Sequence, residues 1–249
     1  MASLTSKISI GFVRNLILIL IMFAALAVAA VAEGYANQLS FLFVGLLVGG
    51  FGLSLWLGMR TATARLSALL ALAFFMEYII QTINAASGLC QYHGVGGQYL
   101  FGVMAWLVGA CSAQALSTGV TIPLLQRLHL RAPGWLNSVL VLVLVALIPL
   151  TAGRYGPLMG LSFWCFFGLV GLIAMIAARQ MPIHVFAGVV LSGWLVGNPS
   201  EYFGAISSGC WSFPYSPSYP PLYAVIACWP LEILVQYSLS AFLAGEPVD

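Results

Sequence analysis

Apolar residues run in long blocks along this chain, and short polar clusters divide the blocks. A stretch of roughly 20 apolar residues crosses a bilayer as a helix. Eight blocks fit that length, at about 12–32, 39–59, 66–85, 99–122, 135–152, 157–178, 183–203 and 222–243. The pattern predicts an all-α polytopic membrane protein with eight transmembrane helices in a single membrane domain, 1–249. The seventh block contains Asn198-Pro199, which is expected to interrupt its helix. Irregular backbone at that depth must face protein or a polar cavity. The first block follows Lys7 and Arg14 and ends in Ala-Val-Ala-Ala-Val-Ala-Glu, which resembles a signal peptide with its cleavage site. An uncleaved first span fits the topology better.

Charge placement orients the spans. Lys7 and Arg14 precede the first, Arg60 and Arg65 join the second to the third, Arg127 and Arg131 join the fourth to the fifth, and Arg179 joins the sixth to the seventh. With eight spans, all of these fall on one side and only Arg154 on the other. The basic side is expected to be cytoplasmic, with both termini there.

Composition agrees. The 249 residues are 62% hydrophobic and 6% charged, with a mean hydropathy of +1.04. Soluble domains are roughly 25% charged. Eight basic and six acidic side chains cannot clothe a soluble fold of this size. A cytosolic enzyme, a nucleic-acid binder and a disordered chain are excluded, and the lipid bilayer is the expected partner.

Two loops away from the basic side carry no charge at all. They run from Ser87 to Gln98 and from Ser207 to Pro221, and both are rich in aromatics, Gly or Pro. Folding back as a lid and sitting in the interface as an aromatic belt are both open readings. Around them the order Glu-Tyr, Ser-Gly, Cys, aromatic, Trp occurs twice: from Glu77-Tyr78 to Trp106, and from Glu201-Tyr202 to Trp229. This suggests two parallel four-span halves, 1–128 and 129–249, related by an axis along the membrane normal. Glu77 and Glu201 would then be equivalent, and Cys90 and Cys210 could form a disulfide.

Candidate chemistry centres on the acids. Glu33 ends the first span, and Glu246 and Asp249 lie in the tail. Glu77, Glu201 and Glu232 lie in or at the edge of spans, with no basic residue in those spans to pair with. Such acids usually face a bundle interior or a cavity. A neutral carboxylic acid there can donate a proton to a weakly basic substrate. The bland alternative is a neutral Glu hydrogen-bonded to a neighbouring helix. Gln81 and Asn84 follow Glu77, Asn198 precedes Glu201, Gln236 follows Glu232, and Gln114 lies in the fourth span. Tyr78, Trp106, Tyr202, Trp211, Tyr223 and Trp229 supply aromatic faces that would stabilise a cationic hydrocarbon intermediate.

Metal chemistry is not expected. The histidines His93, His129 and His184 are too few and too scattered, and the five cysteines show no metal spacing. No phosphate loop, Asp-rich diphosphate motif, G-x-S-x-G or span Lys is present, and no cofactor is expected.

Asn198-Pro199-Ser200-Glu201, then Gly209-Cys210-Trp211-Ser212-Phe213, then Trp229-Pro230-Leu231-Glu232 resemble the membrane lycopene cyclases of the heterodimeric type. Glu77 and the Gly-rich aromatic loop up to Tyr99 resemble the related carotenoid hydratases. The resemblance covers about 80 residues in two patches. It departs from the cyclase pattern at Ile233, where a second acid belongs, and from the hydratase pattern at Asn198, where Asp is favoured. It implies acid-initiated cyclisation or hydration of an isoprenoid chain, the logic also of the small membrane terpene cyclases of meroterpenoid pathways. Glu201, Glu77 and Glu232 would be catalytic, and the aromatics with Asn198, Gln81 and Asn84 would bind substrate. A proton-coupled transporter or solute-binding membrane subunit, and a structural subunit of a membrane complex, are the alternatives.

Overall fold

The computed structural model describes residues 10–247; Lys7 and Asp249 lie outside them. The chain is an all-α, multi-pass membrane protein. Its helices are α1 Ile10–Ala32, α2 Phe41–Arg60, α3 Thr63–Ser87, α4 Leu100–Leu116, α5 Ile122–Gln126, α6 Gly134–Ala152, α7 Leu161–Ala178, α8 Ile183–Glu201 and α9 Trp229–Leu243. A π turn, Ser117–Thr121, joins α4 to α5 without a break. Seven helical segments among the described residues are long and apolar enough to cross a membrane. Helix α8 has 19 residues but carries His184, Asn198, Pro199 and Glu201, and it falls outside that set.

Burial separates centre from rim. The segments Leu100–Gln126 and Ala224–Leu243 bury 83% of their most apolar window, and the other five segments about a third. An outer ring of helices exposes Ile17, Leu20, Ile21, Val28, Val48, Leu142 and Leu169, as a lipid-covered surface requires. At the centre α3 and α8 each pack against both α4 and α9.

Two corrections concern the seventh block. Asn198-Pro199 does not break it: α8 runs through Pro199 to Glu201, and Asn198 Nδ2 donates to Trp194 O at 3.0 Å. The irregularity comes one turn later, as the π turn Tyr202–Ser207. A further π turn, Ala224–Cys228, leads into α9. Widened turns of this kind are common where a helix re-aims side chains at a site.

The two uncharged loops meet. Strands β1 Gln91–Tyr92 and β2 Trp211–Ser212 pair antiparallel, Gln91 with Ser212 and Tyr92 with Trp211. They close one end of the bundle, the hairpin end; Arg60, Arg65, Arg127, Arg131 and Arg179 mark the other. Cys90 and Cys210 are free and buried. The register explains this: Cys210 lies beside His93, whose N–H donates to Cys210 O at 3.1 Å, so the two cysteines sit at opposite ends of the ladder. Burial pushes both thiols up, that of Cys210 to about 12, so they are poor targets for thiol reagents.

Matching contacts recur along the chain. Asn15 Nδ2 donates to Gly58 O and Thr61 O, both at 2.8 Å, tying α1 to the turn after α2. Asn137 Nδ2 donates to Ala178 O at 3.1 Å and Met181 O at 2.8 Å, tying α6 to the turn after α7. Tyr35 follows the left-handed Gly34 and donates to Gln98 O at 2.7 Å. Tyr155 accepts from Tyr215 N at 3.2 Å. Glu33 is structural: its two carboxylate oxygens accept from Leu100 N at 3.0 Å and Phe101 N at 2.9 Å. A carboxylate at a helix N-terminus satisfies free N–H groups and complements the helix dipole. Glu246 pairs with Arg65 at 2.9 Å.

Candidate functional site

Glu77, Glu201 and Glu232 are all buried, each at most 3% exposed. Helices α3, α8 and α9 carry them to one region beneath the β1–β2 ladder. Glu201 Oε2 accepts from Trp211 Nε1 at 3.0 Å, and its Oε1 accepts from Trp229 Nε1 at 3.3 Å. Both indoles are buried and seated on glycine. A Cβ on Gly197 or Gly109 would meet the Trp229 ring at 2.5 or 2.9 Å, and one on Gly204 would clash with Trp211. Two N–H groups aimed at two different oxygens fit a carboxylate better than a neutral acid.

The other two acids form a separate cluster. Glu77 and Glu232 face each other across the α3–α9 contact, and Gln236 Nε2 donates to Glu77 Oε1 at 3.4 Å. The sequence similarity that equates Glu77 with Glu201 therefore misleads. Cys90 and Cys210 lie 120 residues apart, as do Gly58 and Ala178. At that spacing Glu77 matches Gly197 and Glu201 matches Gln81, one helical turn from the expected pairing.

Two cavities flank this region. One, of about 40 Å³, is lined by Gln81, Asn84, Cys90, Phe163, Phe167, Phe213, Tyr223, Cys228 and the acids Glu201 and Glu232. A water needs roughly 10–15 Å³ of such space, so this cavity takes a few waters and no hydrocarbon chain. The other, of about 260 Å³, is an apolar groove between α2, α4 and α8. Gly45, Gly49, Gly50 and Gly109 open it, and Ser112 and Ser200 are its polar side chains. Exposed Gly45, Gly49 and Leu195 on its margin place its mouth on the lipid-facing surface. Trp106 lines both spaces and stacks on Trp229, with ring centroids 4.0 Å apart and an interplanar angle of 17°.

Of the residues expected at the site, Glu77, Glu201, Glu232, Gln81, Asn84, Trp106, Trp211, Tyr223 and Trp229 are brought together. Three are not. Tyr78 and Tyr202 are 47% and 42% exposed and point outward. Asn198 lines a surface pocket beside Arg154 and Tyr155. Its amide folds back along α8 to Trp194 O, and the side chain is exposed, whereas Glu201 is buried. Phe163, Phe167, Phe213 and Gln236 belong to the site as well. Phe163 and Phe167, at i and i+4 on α7, left a helical-face signal in the sequence; Phe213 left none. Among the described residues no group of three or more His, Cys, Asp or Glu could hold a metal ion. No family model matches the chain, and no curated protein or solved structure matches it.

Proposed function

We propose that the protein is an acid-initiated isoprenoid cyclase or hydratase, built from two parallel four-span halves with both termini on the cytoplasmic side. The recurring contacts support the repeat. The two Asn anchors, and Tyr35 and Tyr155, which lie 120 residues apart and each use the hydroxyl to bind backbone of a later loop, have similar places in the two halves. In the β1–β2 ladder each residue pairs with the counterpart of its neighbour, as a two-fold axis requires. Trp106 and Trp229 stack on each other across that axis. Helix α8 then takes the place of an eighth span, with Ser192 and Glu201 turned toward protein.

The observation that carries the chemistry is Glu201 held between two indole N–H groups, one of them that of Trp211, which lines the apolar groove. An isoprenoid chain lies in the groove between α2, α4 and α8. Glu201 gives its proton to an alkene or epoxide of that chain. The N–H groups of Trp211 and Trp229 are already placed for the carboxylate left behind, which is how preorganised donors lower a barrier. The face of Trp106 stabilises the positive charge on the chain.

The test is mass spectrometry of lipids that copurify with the protein, followed by incubation with the isoprenoid so found. Conversion to a cyclised or hydrated product supports the reading, and absence of any bound or converted isoprenoid sinks it. A proton-coupled carrier also uses buried acids and parallel repeats. It would acidify the lumen of proteoliposomes on addition of its solute, and an enzyme would not.

A further inference from the structure

The end of α6 and the loop before the last helical run enclose a surface pocket of about 500 Å³ at the hairpin end. Arg154, Tyr155, Asn198, Tyr215, Tyr219 and Leu222 line it, and among the described residues no acid does. Its donors lack acceptors. Arg154 is exposed, with no ion pair or hydrogen bond among the described residues. Tyr155 is 5% exposed; its hydroxyl accepts from Tyr215 N at 3.2 Å and makes no hydrogen bond as a donor among the described residues. The helical run begins at Leu222, and neither Leu222 N nor Tyr223 N has an acceptor there, while Ala224 N turns back to Pro221 O at 3.1 Å. The matching pocket of the first half is satisfied from within. Ala32, Glu33 and Tyr78 line it, 120 residues before Ala152, Gly153 and Asn198. There the Glu33 carboxylate takes Leu100 N and Phe101 N, and Tyr35 gives its proton to Gln98 O. In the second half Gly153 stands in the place of Glu33, and a Cβ on it would meet nothing within 4 Å.

We propose that this pocket binds the phosphate headgroup of a lipid in the hairpin-side leaflet, which brings the anion that Glu33 supplies in the first half. The inference goes beyond the reading above: it requires no isoprenoid chemistry, and the four donors stand whether or not the halves are one design. The Arg154 guanidinium presents parallel N–H groups that match two oxygens of a phosphate. The Tyr155 O–H adds a third donor. Leu222 N adds a fourth, at the head of a helical run that continues to Leu243, where the helix dipole favours a negative group. Donors of three kinds suit the tetrahedral oxygens of a phosphate better than the two coplanar oxygens of a carboxylate. The surroundings fit a lipid. Tyr215 and Tyr219 are exposed, as tyrosines at a membrane interface are, and the exposed Leu150 and Leu222 offer apolar surface for acyl chains. Arg154 is the single described arginine at the hairpin end, and a lipid phosphate gives it a counter-ion. Soluble phosphate carries the same oxygens without the chains, so competition separates the two sources.

Photolabelling of the purified full-length protein in a neutral detergent tests the site. The probe is a phosphatidic acid that carries a diazirine beside its glycerol. Peptide mapping should place label within 151–155 or 215–225. Unlabelled phosphatidic acid should displace it, and the diacylglycerol with the same acyl chains should not. Arg154→Gln should weaken the apparent affinity at these segments about 10- to 100-fold and Tyr155→Phe about 10-fold, the range for hydrogen bonds to a charged group. Arg154→Lys keeps the charge without the fork and should fall between Arg154→Gln and wild type. Arg179→Gln, at the opposite end, should change nothing at these segments. The exposed, unpaired Arg154 side chain can be replaced without disturbing the bundle, and unchanged helix content checks this. Label unchanged by Arg154→Gln, label confined to the arginine-rich end, or equal displacement by diacylglycerol overturns the proposal. Displacement by inorganic phosphate as readily as by phosphatidic acid overturns the lipid assignment and leaves a site for soluble phosphate. None of these outcomes depends on conversion of an isoprenoid, so the site and the enzymatic reading fail separately.

Discussion

The groove and the acid cavity lie side by side with Trp106 lining both, yet one has room for a hydrocarbon chain and the other for a few waters. Where α2 offers Phe43 and Leu47 to the groove, α7 offers Phe163 and Phe167 to the cavity. Where α4 has Gly109, α9 has Glu232, each three residues beyond its tryptophan. The groove offers about 260 Å³ of apolar space, and the cavity about 40 Å³ edged by acids. The two spaces suit the two needs of the proposed reaction, a place for hydrocarbon and a source of protons.

The contrast breaks most severely at Glu201. Glu201→Gln keeps size and hydrogen-bonding capacity but carries no proton to give. Conversion of an isoprenoid by the purified variant should fall by about 10²- to 10⁴-fold, the usual contribution of a positioned acid. Helix content and the thermal midpoint should hold, since a neutral amide replaces a carboxyl in a buried site. Near-normal turnover would end the assignment of this cavity as the acid side.

Trp211→Phe is the next test. It keeps most of the ring and removes one of the two N–H donors to Glu201. Loss of one hydrogen bond to a charged group is worth about 1.5–3 kcal/mol, or roughly 10- to 100-fold in rate. Substrate affinity should change little, because the carboxylate exists only during reaction. A change confined to KM would show that Trp211 shapes the groove and does not serve the acid.

Gly49→Leu probes the other side of the comparison. A Cβ at Gly49 meets nothing within 4 Å, so the new side chain enters the groove without pushing on the bundle. Leu also favours a helix over Gly by up to ~1 kcal/mol, so stability should be equal or higher. Binding of a hydrocarbon probe should weaken about 10-fold, roughly what blocking one or two methylene sites costs. Unchanged binding would place the chain elsewhere.

These side chains also show what was legible in the sequence. Long apolar blocks sufficed for an all-α membrane protein, because span length is a local property. The three acids stood out because buried charge is costly anywhere in a membrane. Their grouping did not. Glu77 meets Glu232 and Gln236 across 155 residues or more of chain, and only packing sets that contact. The repeated Glu-Tyr drew Glu77 onto Glu201, although both tyrosines point outward and the two acids bind different partners. Asn198 looked like a break at the site because Pro follows it, but the helix carries Pro199 and the wide turn comes after Glu201.

The smallest expected effect bears on the symmetry beneath the comparison. Asn15 and Asn137 each give both amide hydrogens to backbone carbonyls in the turn after the following helix. Both are 1% exposed, and in both the Oδ1 atom has no donor. Replacing either with Ala leaves two carbonyls unpaired in a buried turn, at a cost of about 1–3 kcal/mol. If the two halves are one design used twice, the two losses should agree within ~0.5 kcal/mol, the scatter ordinarily seen between independent sites. The double variant should show their sum, since the anchors belong to different halves and share no partner. Reversible unfolding in mixed detergent measures all three. Unequal losses would mean that the turns have diverged in packing. A double variant well short of the sum would mean that the halves unfold in separate steps and that the axis between them is a weak interface. Equal and additive losses would leave the differences between groove and cavity where the volumes place them, in the residues that line the two spaces and not in the scaffold that holds them.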